Sequence, residues 1–240
     1  MKILAIDSSA KAGSVAIVEG ENLLGETFIN IGLTHSQTLM PMVADLLKNT
    51  DISLNDIDAF AVSVGPGSFT GLRIGLASIK GMAFANETPC IAVSTLLTMA
   101  YNFLFENVTV CAAMDAHCNQ LYSATFDVCE GVISRLTLDR AISVDALCAE
   151  ISQLEKKVIF VGDGAVLCYN KIVSDPNFNN KEVFLAPESK RFQRASNVAF
   201  AAYDTYLKDG NNALIRAEDL VPKYLKLSQA ERNLNSKKEL

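Results

Sequence analysis

The chain has 240 residues, half of them apolar and a fifth of them charged, which suits one large domain or two lobes and excludes a disordered or low-complexity chain. Its 27 acidic residues outnumber the 21 Lys and Arg residues, so the formal net charge is −6. A chain of this charge is not built to coat nucleic acid by itself. An RNA contact would need a local basic patch or a basic partner.

The order of the residues also indicates the compartment. No apolar run approaches the ~18 residues of a membrane span. The apolar run that starts at Met1 meets Asp7 too soon for a secretory signal. The six cysteines are scattered without a C-x-x-C pair, which is typical of small buried hydrophobes in a reducing compartment. We therefore expect a cytoplasmic protein with no membrane association, no disulfide and no zinc site.

Hydrophobic periodicity divides the first half of the chain into strands and helices. The predicted elements are, in chain order, strands at 2–7, 14–18 and 23–29, a helix at 35–48, a strand at 57–64, a helix at 70–86, a strand at 90–93 and a helix that Ser94 caps. Pro41 lies beyond the first turn of the first helix and removes a backbone hydrogen bond, so a bend is expected there.

The second half repeats this order more loosely. Its predicted elements are strands at 108–114, 121–128 and 132–138, a helix at 143–154, a strand at 158–161 and a helix at 195–208. Ala5-Ile6-Asp7-Ser8 and Ala113-Met114-Asp115-Ala116 both end a leading strand with an aspartate. The order β-β-β-α-β-α, present twice, predicts an α/β protein of two duplicated ribonuclease-H-like lobes with a cleft between them. We assign 1–106 to the N-terminal lobe, 107–225 to the C-terminal lobe and 226–240 to a polar tail.

Four polar residues are candidates for chemistry in that cleft, namely Asp7, Ser8, Ser9 and Asp115. Backbone N–H groups and hydroxyls after the first strand would hold a phosphate, and Asp7 would hold Mg²⁺ through water. Asp115 would face Asp7 from the other lobe, as Mg-nucleotide phosphotransfer requires. The alternative is structural, because Asp and Ser after a strand usually form Asx and Ser turns.

The most distinctive stretch is 65–75, with the sequence Gly-Pro-Gly-Ser-Phe-Thr-Gly-Leu-Arg-Ile-Gly. It follows a strand and opens a helix, which suits an anion, but it is neither a Walker A loop nor a dinucleotide fingerprint. A tight turn without a ligand is the alternative. The helix that follows carries two stripes of small residues, Gly71, Gly75 and Ser78 in one and Ala77, Gly81 and Ala85 in the other. Glycine in a helix costs about 1 kcal/mol against alanine, so these stripes predict a close neighbour, either internal or from another subunit.

The helix at 35–48 has an apolar stripe too wide for one buried face. Together with the helix after the glycine stretch it predicts a helix-pair interface, with a purely internal core as the alternative. The tail supplies a local basic patch, in which Lys223, Lys226 and Arg232 are candidates for RNA or partner contact. A solvated chain end is the alternative.

No catalytic centre is apparent in the sequence. There are only two histidines, no H-x-x-x-H pair and no G-x-S-x-G elbow. We therefore predict no catalytic residue and no metal site.

Six motifs then allow a comparison with a known family. They are Ile6-Asp7-Ser8-Ser9, His35-Ser36-Gln37-x-x-x-Pro41, the glycine stretch at 65–75, Val93-Ser94-Thr95-Leu96, Met114-Asp115-Ala116 and Pro222-x-Tyr224-Leu225. In these residues and their order the chain resembles the TsaB (YeaZ) family over most of residues 1–225. The glycine stretch is the specific motif, and the others are individually weak.

The resemblance implies an actin-like, two-lobed ATPase (ASKHA) fold of the sugar kinase and Hsp70 class. It implies a non-catalytic scaffold or dimerisation subunit of the bacterial machinery that makes N6-threonylcarbamoyladenosine next to the anticodon of tRNAs reading codons that start with A. The implied partners are a TsaD-type catalytic subunit that carries the metal site, a TsaE-type ATPase and tRNA reached through the complex, together with weak self-pairing. No cofactor is implied for the chain itself, and ATP or ADP with Mg²⁺ is implied at the complex junction.

The resemblance places the partner interface on the two helices of the first lobe. The residues implied are His35, Leu39, Met40, Val43, Leu46, Leu47, Gly71, Ile74, Gly75, Ser78 and Met82. The chain departs from the family where Asp115-Ala116-His117 replaces the usual Asp-Ala-Arg, and in the tail after Leu225. The alternative function is a Mg-ATP-dependent phosphotransferase or ATPase that uses Asp7 and Asp115. A metal peptidase would need ligands that the sequence lacks.

Overall fold

The computed structural model describes residues 1–176 and 182–226 and contains two β-sheets. The first half consists of β1 (Lys2–Asp7), β2 (Gly13–Glu19), β3 (Asn22–Ile29), α1 (His35–Thr50), β4 (Ala59–Gly65), α2 (Phe69–Phe84), β5 (Cys90–Ser94) and α3 (Thr95–Ala100). Every element predicted in this half is present, and the stated bounds agree to within two residues. Helix α1 runs through Pro41 and ends at Asp51, which has a left-handed φ of 54°.

The second half contains more elements than the sequence pattern indicated. It consists of β6 (Val108–Asp115), β7 (Gln120–Cys129), β8 (Val132–Arg135), β9 (Arg140–Ser143), α4 (Val144–Ile151), β10 (Val158–Val161), α5 (Ala165–Val173), β11 (Val183–Leu185), α6 (Glu188–Arg191) and α7 (Ala195–Asp209). The single strand predicted at 132–138 is wrong in its second part. The chain leaves the sheet after Arg135, because Asp139 turns away to bind Ser94, and it returns as β9.

The two sheets have the same topology. The strand order is β3-β2-β1-β4-β5 in the first sheet and β8-β7-β6-β10-β11 in the second, with β9 added beside β7. In both sheets the leading strand pairs antiparallel with the next strand and parallel with the strand that follows the first crossover helix. This repeat confirms the predicted duplication of a ribonuclease-H-like lobe.

Alternation along β1 shows how the first sheet is covered. Leu4 and Ile6 point to the face covered by α1 and α2, whereas Ile3 and Ala5 point to the opposite face. The opposite face packs against α7, which comes from the end of the chain and presents mainly alanine and valine, so that the helix backbone lies close to the sheet. Period-two alternation is expected for a strand buried on both faces by different layers.

The two lobes therefore exchange their last helices. Helix α3 follows β5 of the first sheet but packs on β6 and β7 of the second, where Leu96 and Met99 join that core. Helix α7 follows the second lobe but covers the first sheet. The ranges 1–106 and 107–225 remain a prediction about domains. In packing, however, helix α7 belongs to the core of the first sheet.

The start of α7 is fixed to the first sheet by polar contacts. The Ser14 hydroxyl accepts the Ala195 N–H at 2.8 Å. Glu26 accepts the Ser196 N–H at 3.0 Å through one carboxylate oxygen and the Arg194 guanidinium at 2.8 Å through the other. A carboxylate at a helix N-terminus satisfies free N–H groups and the helix dipole. None of the helices within the described ranges has the length and hydropathy that crossing a bilayer requires.

Candidate functional site

A cleft of about 640 Å³ lies between the lobes. Its walls are the turn after β1, the start of α2, the β6–β7 hairpin and the loop after β10. The residues lining it are Ser9, Ala10, Lys11, Gly67, Ser68, Phe69, Thr70, Met114, Asp115, Ala116, His117, Tyr122 and Asp163. Of the four predicted phosphate-binding residues, Ser9 and Asp115 line the cleft and Asp7 and Ser8 do not.

Asp7 turns inward instead of facing the cleft. Its side chain is buried, and Oδ1 accepts the Ser9 N–H at 3.0 Å and the Ser9 hydroxyl at 2.8 Å. Burial raises the pKa of Asp7, against the lowering effect of these hydrogen bonds. The residues therefore form the Asx turn of the structural alternative. They do not fit a Mg²⁺ ion held between Asp7 and Asp115, as phosphotransfer would need.

Asp115 makes hydrogen bonds that stabilise the β6–β7 hairpin. Its Oδ1 accepts the His117 N–H at 2.8 Å, and its own N–H donates to Asp163 at 3.0 Å. Burial is the main cause that raises the pKa of Asp163. His117, Cys118 and Asn119 all have left-handed φ angles, between 56° and 58°, and together they form the hairpin tip at the mouth of the cleft. The aspartates on this wall thus organise a turn.

The glycine stretch is explained by the turn after β1. A Cβ on Gly67 would lie 2.3 Å from the Ser9 carbonyl oxygen, and one on Gly71 would lie 2.1 Å from the Ser8 carbonyl oxygen. A Cβ on Gly75 would lie 2.4 Å from the Ser8 hydroxyl, which itself donates to the Gly71 carbonyl at 2.8 Å. The close neighbour predicted for this stripe is therefore internal. A contact of Gly71 and Gly75 with a partner stays a prediction, and the structure gives both glycines an internal reason.

The second stripe of α2 faces outward and forms a groove with α1. The groove encloses about 510 Å³ and is lined by Met40, Leu54, Ala77, Ser78, Gly81, Met82 and Ala85. A Cβ added to Gly81 would meet no atom within 4 Å. Met40 is 44% exposed, and Phe84 at the end of α2 is 82% exposed. The groove and its surroundings form an apolar, exposed face on the outside of the first lobe.

The predicted interface residues divide between this groove and the interior. Met40, Ser78 and Met82 line the groove. Leu39, Val43 and Leu46 are buried in the core under α1, and a contact of these residues with a partner stays a prediction. Leu47 and Ile74 are half-buried beside that core. His35 is half-buried too, and its Nε2 pairs with the Ala10 carbonyl oxygen at 2.7 Å, which fixes the turn after β1.

Four groove residues were missing from the predicted interface, namely Leu54 and the three small residues of the second stripe. The sequence marks Ala77, Gly81 and Ala85 as a stripe of small residues at a spacing of four. The inward stripe has a similar pattern, so the pattern alone does not identify the outward face. Only the position of the turn after β1 decides which stripe faces out.

The last described segment crosses from the first lobe to the second as a strap, residues 214–226. The Lys223 N–H donates to the Val64 carbonyl at 2.8 Å. The Tyr224 ring stacks on Phe69 at 4.1 Å between centroids, and its hydroxyl accepts the Arg73 Nε–H at 2.8 Å. Lys226 Nζ then donates to the Ala116 carbonyl of the second lobe at 2.8 Å.

These contacts bear on the predicted basic tail. Lys226 links the lobes through its ammonium group, whereas Lys223 is exposed. Arg232 lies outside the described residues. An RNA or partner contact of these residues remains a prediction.

We expect Tyr224→Ala to lower the free energy of unfolding by about 2 kcal/mol, because the ring loses its stacking on Phe69 and its burial. Tyr224→Phe keeps the stack and loses only the hydrogen bond from Arg73, so its cost should stay near 1 kcal/mol. Urea unfolding of both variants measures the difference. Equal losses in the two variants would contradict a stabilising stack.

Within the described parts of the chain, no group of three or more His, Cys, Asp or Glu side chains is placed to hold a metal ion.

Two lobes of equal topology, a cleft between them and exchanged terminal helices define a protein of the actin-like, two-lobed class. Two solved structures from Pseudomonas aeruginosa are similar to this chain. One, titled as YeaZ, has 27% identity and a TM-score of 0.76 over 93% of this chain and 99% of its own. The other, titled as an uncharacterized protein with similarity to peptidase YEAZ, has 26% identity and a TM-score of 0.79 over 94% and 99%.

Sequence comparison gives the family. The tRNA threonylcarbamoyladenosine biosynthesis protein TsaB of Escherichia coli is 36% identical over 68% of this chain and 72% of its own length. The protein of the same description in Bacillus subtilis is 27% identical over 96% of both chains. The profile of a family described as "TsaD: tRNA N6-adenosine threonylcarbamoyltransferase" matches residues 31–234. The chain belongs to the TsaB (YeaZ) family of tRNA threonylcarbamoyladenosine biosynthesis proteins.

Proposed function

We propose that this chain is a non-catalytic subunit that binds a TsaD-type threonylcarbamoyltransferase through the groove between α1 and α2. The observation that carries the proposal is that groove. It is apolar, exposed and lined by small residues, so a second pair of helices can approach closely there. By this role the chain would serve the formation of N6-threonylcarbamoyladenosine next to the anticodon of tRNAs reading codons that start with A.

The surroundings of Asp7 and Asp115 favour a scaffold role for this chain over catalysis. Asp7 is buried against Ser9, and Asp115 holds the hairpin tip, so neither is poised to bind a metal-nucleotide. We accordingly place any ATP or ADP with Mg²⁺ at the junction with the partner. A TsaE-type ATPase and tRNA would join the complex there, and the same groove would allow weak pairing of two copies of this chain.

The test is co-expression with the TsaD-type protein of the same organism, followed by size-exclusion chromatography with light scattering. We expect a one-to-one complex with the unmodified chain. Gly81→Glu should weaken it at least tenfold, because the carboxylate fills the groove while Gly81 has open space in the folded chain. Ala149→Glu, a similar change at an exposed position of α4 in the other lobe, serves as the control and should bind normally.

Two outcomes would count against the proposal. If Gly81→Glu and Ala149→Glu bind equally well, the groove is not the interface. If no complex forms at any salt or nucleotide condition, the scaffold role fails. ATP turnover by the purified chain alone, lost in Asp115→Asn, would favour the phosphotransferase alternative instead.

A further inference from the structure

A cluster of thiols lies in the second lobe, away from the cleft and the groove. Cys111 on β6, Cys148 on α4 and Cys168 on α5 belong to one apolar core on the outer face of the second sheet. All three are free thiols. Cys111 and Cys168 are fully buried, whereas Cys148 is half-buried and thus reachable from solvent.

Cys148 and Cys168 are in direct contact. The Cys148 thiol donates to the Cys168 carbonyl oxygen at 3.9 Å. Helices α4 and α5, which carry them, pack together and are further joined by an ion pair between Asp145 and Lys171. The two thiols therefore lie on neighbouring packed helices of one core, which is the arrangement that a disulfide within the chain would need.

The contact also assigns different roles to the two sulfurs. The hydrogen bond from Cys168 lowers the pKa of Cys148, although partial burial opposes it. The same contact, with burial, raises the pKa of Cys168. Cys148 is thus the thiol that ionises first and that solvent reaches, and Cys168 stays protonated beside it.

We propose that Cys148 and Cys168 are a peroxide-sensitive thiol pair that closes reversibly into a disulfide within the chain. The Cys148 thiolate attacks one peroxide oxygen and breaks the O–O bond, which gives a sulfenic acid and a hydroxide that leaves as water. The Cys168 sulfur then attacks the Cys148 sulfur and displaces the second hydroxide, which takes up the Cys168 proton. Two thiols are oxidised and one hydrogen peroxide is reduced to two waters.

The other cysteines of the described chain differ in environment. Burial raises the pKa of Cys90 to about 11 and that of Cys111 to about 12, so both thiols stay protonated. Cys118 is exposed at the hairpin tip and lies outside the core that holds Cys148 and Cys168. Cys118 therefore serves as an internal standard for simple oxidation of an accessible thiol.

The test exposes the purified full chain to hydrogen peroxide, blocks remaining thiols with N-ethylmaleimide and analyses non-reduced peptides by mass spectrometry. We expect a cross-linked peptide pair containing Cys148 and Cys168 that disappears after dithiothreitol. Cys148→Ser should abolish the cross-link, and Cys118→Ser should leave its yield unchanged. Because Cys168→Ser changes a buried site, its fold is checked by circular dichroism and by Cys168→Ala.

The outcomes separate cleanly. A Cys148–Cys168 peptide formed before Cys118 is half oxidised supports the pair. Oxidation of Cys118 to completion with no such peptide overturns the proposal. A dominant link from Cys111 to either thiol overturns the assignment of the pair as well.

Discussion

Gly71→Ala is expected to lower the free energy of unfolding by about 3 kcal/mol, the upper range for overpacking a tight core. The added methyl group would lie 2.1 Å from the Ser8 carbonyl oxygen, which is a backbone atom and cannot rotate away. Either α2 or the turn after β1 must move. Urea unfolding followed by circular dichroism measures the loss as a lower midpoint.

Gly81→Ala is the matched control on the same helix and should act in the opposite direction. Gly81 is exposed within α2 and has open space, so alanine should raise the free energy of unfolding by about 1 kcal/mol through helix propensity alone. A loss of stability in both variants would show that α2 does not tolerate change in general. Gly75 does not offer a further control, since a Cβ there would meet the Ser8 hydroxyl at 2.4 Å.

We expect Glu26→Ala also to lower the free energy of unfolding by about 3 kcal/mol. This value is the lower end of the range for breaking a buried ion pair, because Arg194 keeps part of its hydration. Glu26 is 8% exposed and accepts the Ser196 N–H at 3.0 Å and its hydroxyl at 2.8 Å. Its other oxygen accepts two N–H groups of Arg194. The change therefore leaves the start of α7 without its anchor on the first sheet.

The measurement combines urea unfolding with limited proteolysis, because loss of the anchor should expose the chain just before Ala195. Glu26→Gln keeps an acceptor for Ser196 but loses the charge opposite Arg194. Its free energy of unfolding and its cleavage rate should therefore lie between those of the unmodified chain and of Glu26→Ala. Cleavage at an unchanged rate in Glu26→Ala would contradict the anchoring role of Glu26.

Much of the architecture was predictable because the leading strands are strongly apolar and bounded by turn residues. The elements at 165–191 were not predicted. Helix α5 has nine residues and β11 has three, too few for a periodic pattern to stand out. Strand β9 was missed because Asp139 bends the chain toward Ser94, a contact between distant parts of the sequence. Such tertiary contacts decide boundaries that local propensity leaves open.

The candidate site was predicted less well, and the two stripes of α2 show why. Both stripes have small residues at helical spacing, so the sequence alone gives them equal weight. Ser8 and the rest of the turn after β1 settle the matter by occupying one side, and that turn is more than 60 residues away in the chain. The inward turn of Asp7 has the same origin, since the nearby Ser9 offers it hydrogen bonds that water or a metal would otherwise supply.

The exchange of helices also has a consequence for synthesis on the ribosome. The last strand of the first sheet ends at Ser94. Helix α7, which covers the face that carries Ile3 and Ala5, begins only at Ala195, about 100 residues later. At a synthesis rate of about 5–20 residues per second, the ribosome needs roughly 5–20 s to reach α7. During this time Ile3, Ala5 and Val18 are not yet buried by that helix. During that interval the nascent chain carries an apolar sheet face open to other chains and to chaperones, and its folding ends only when the last helix docks.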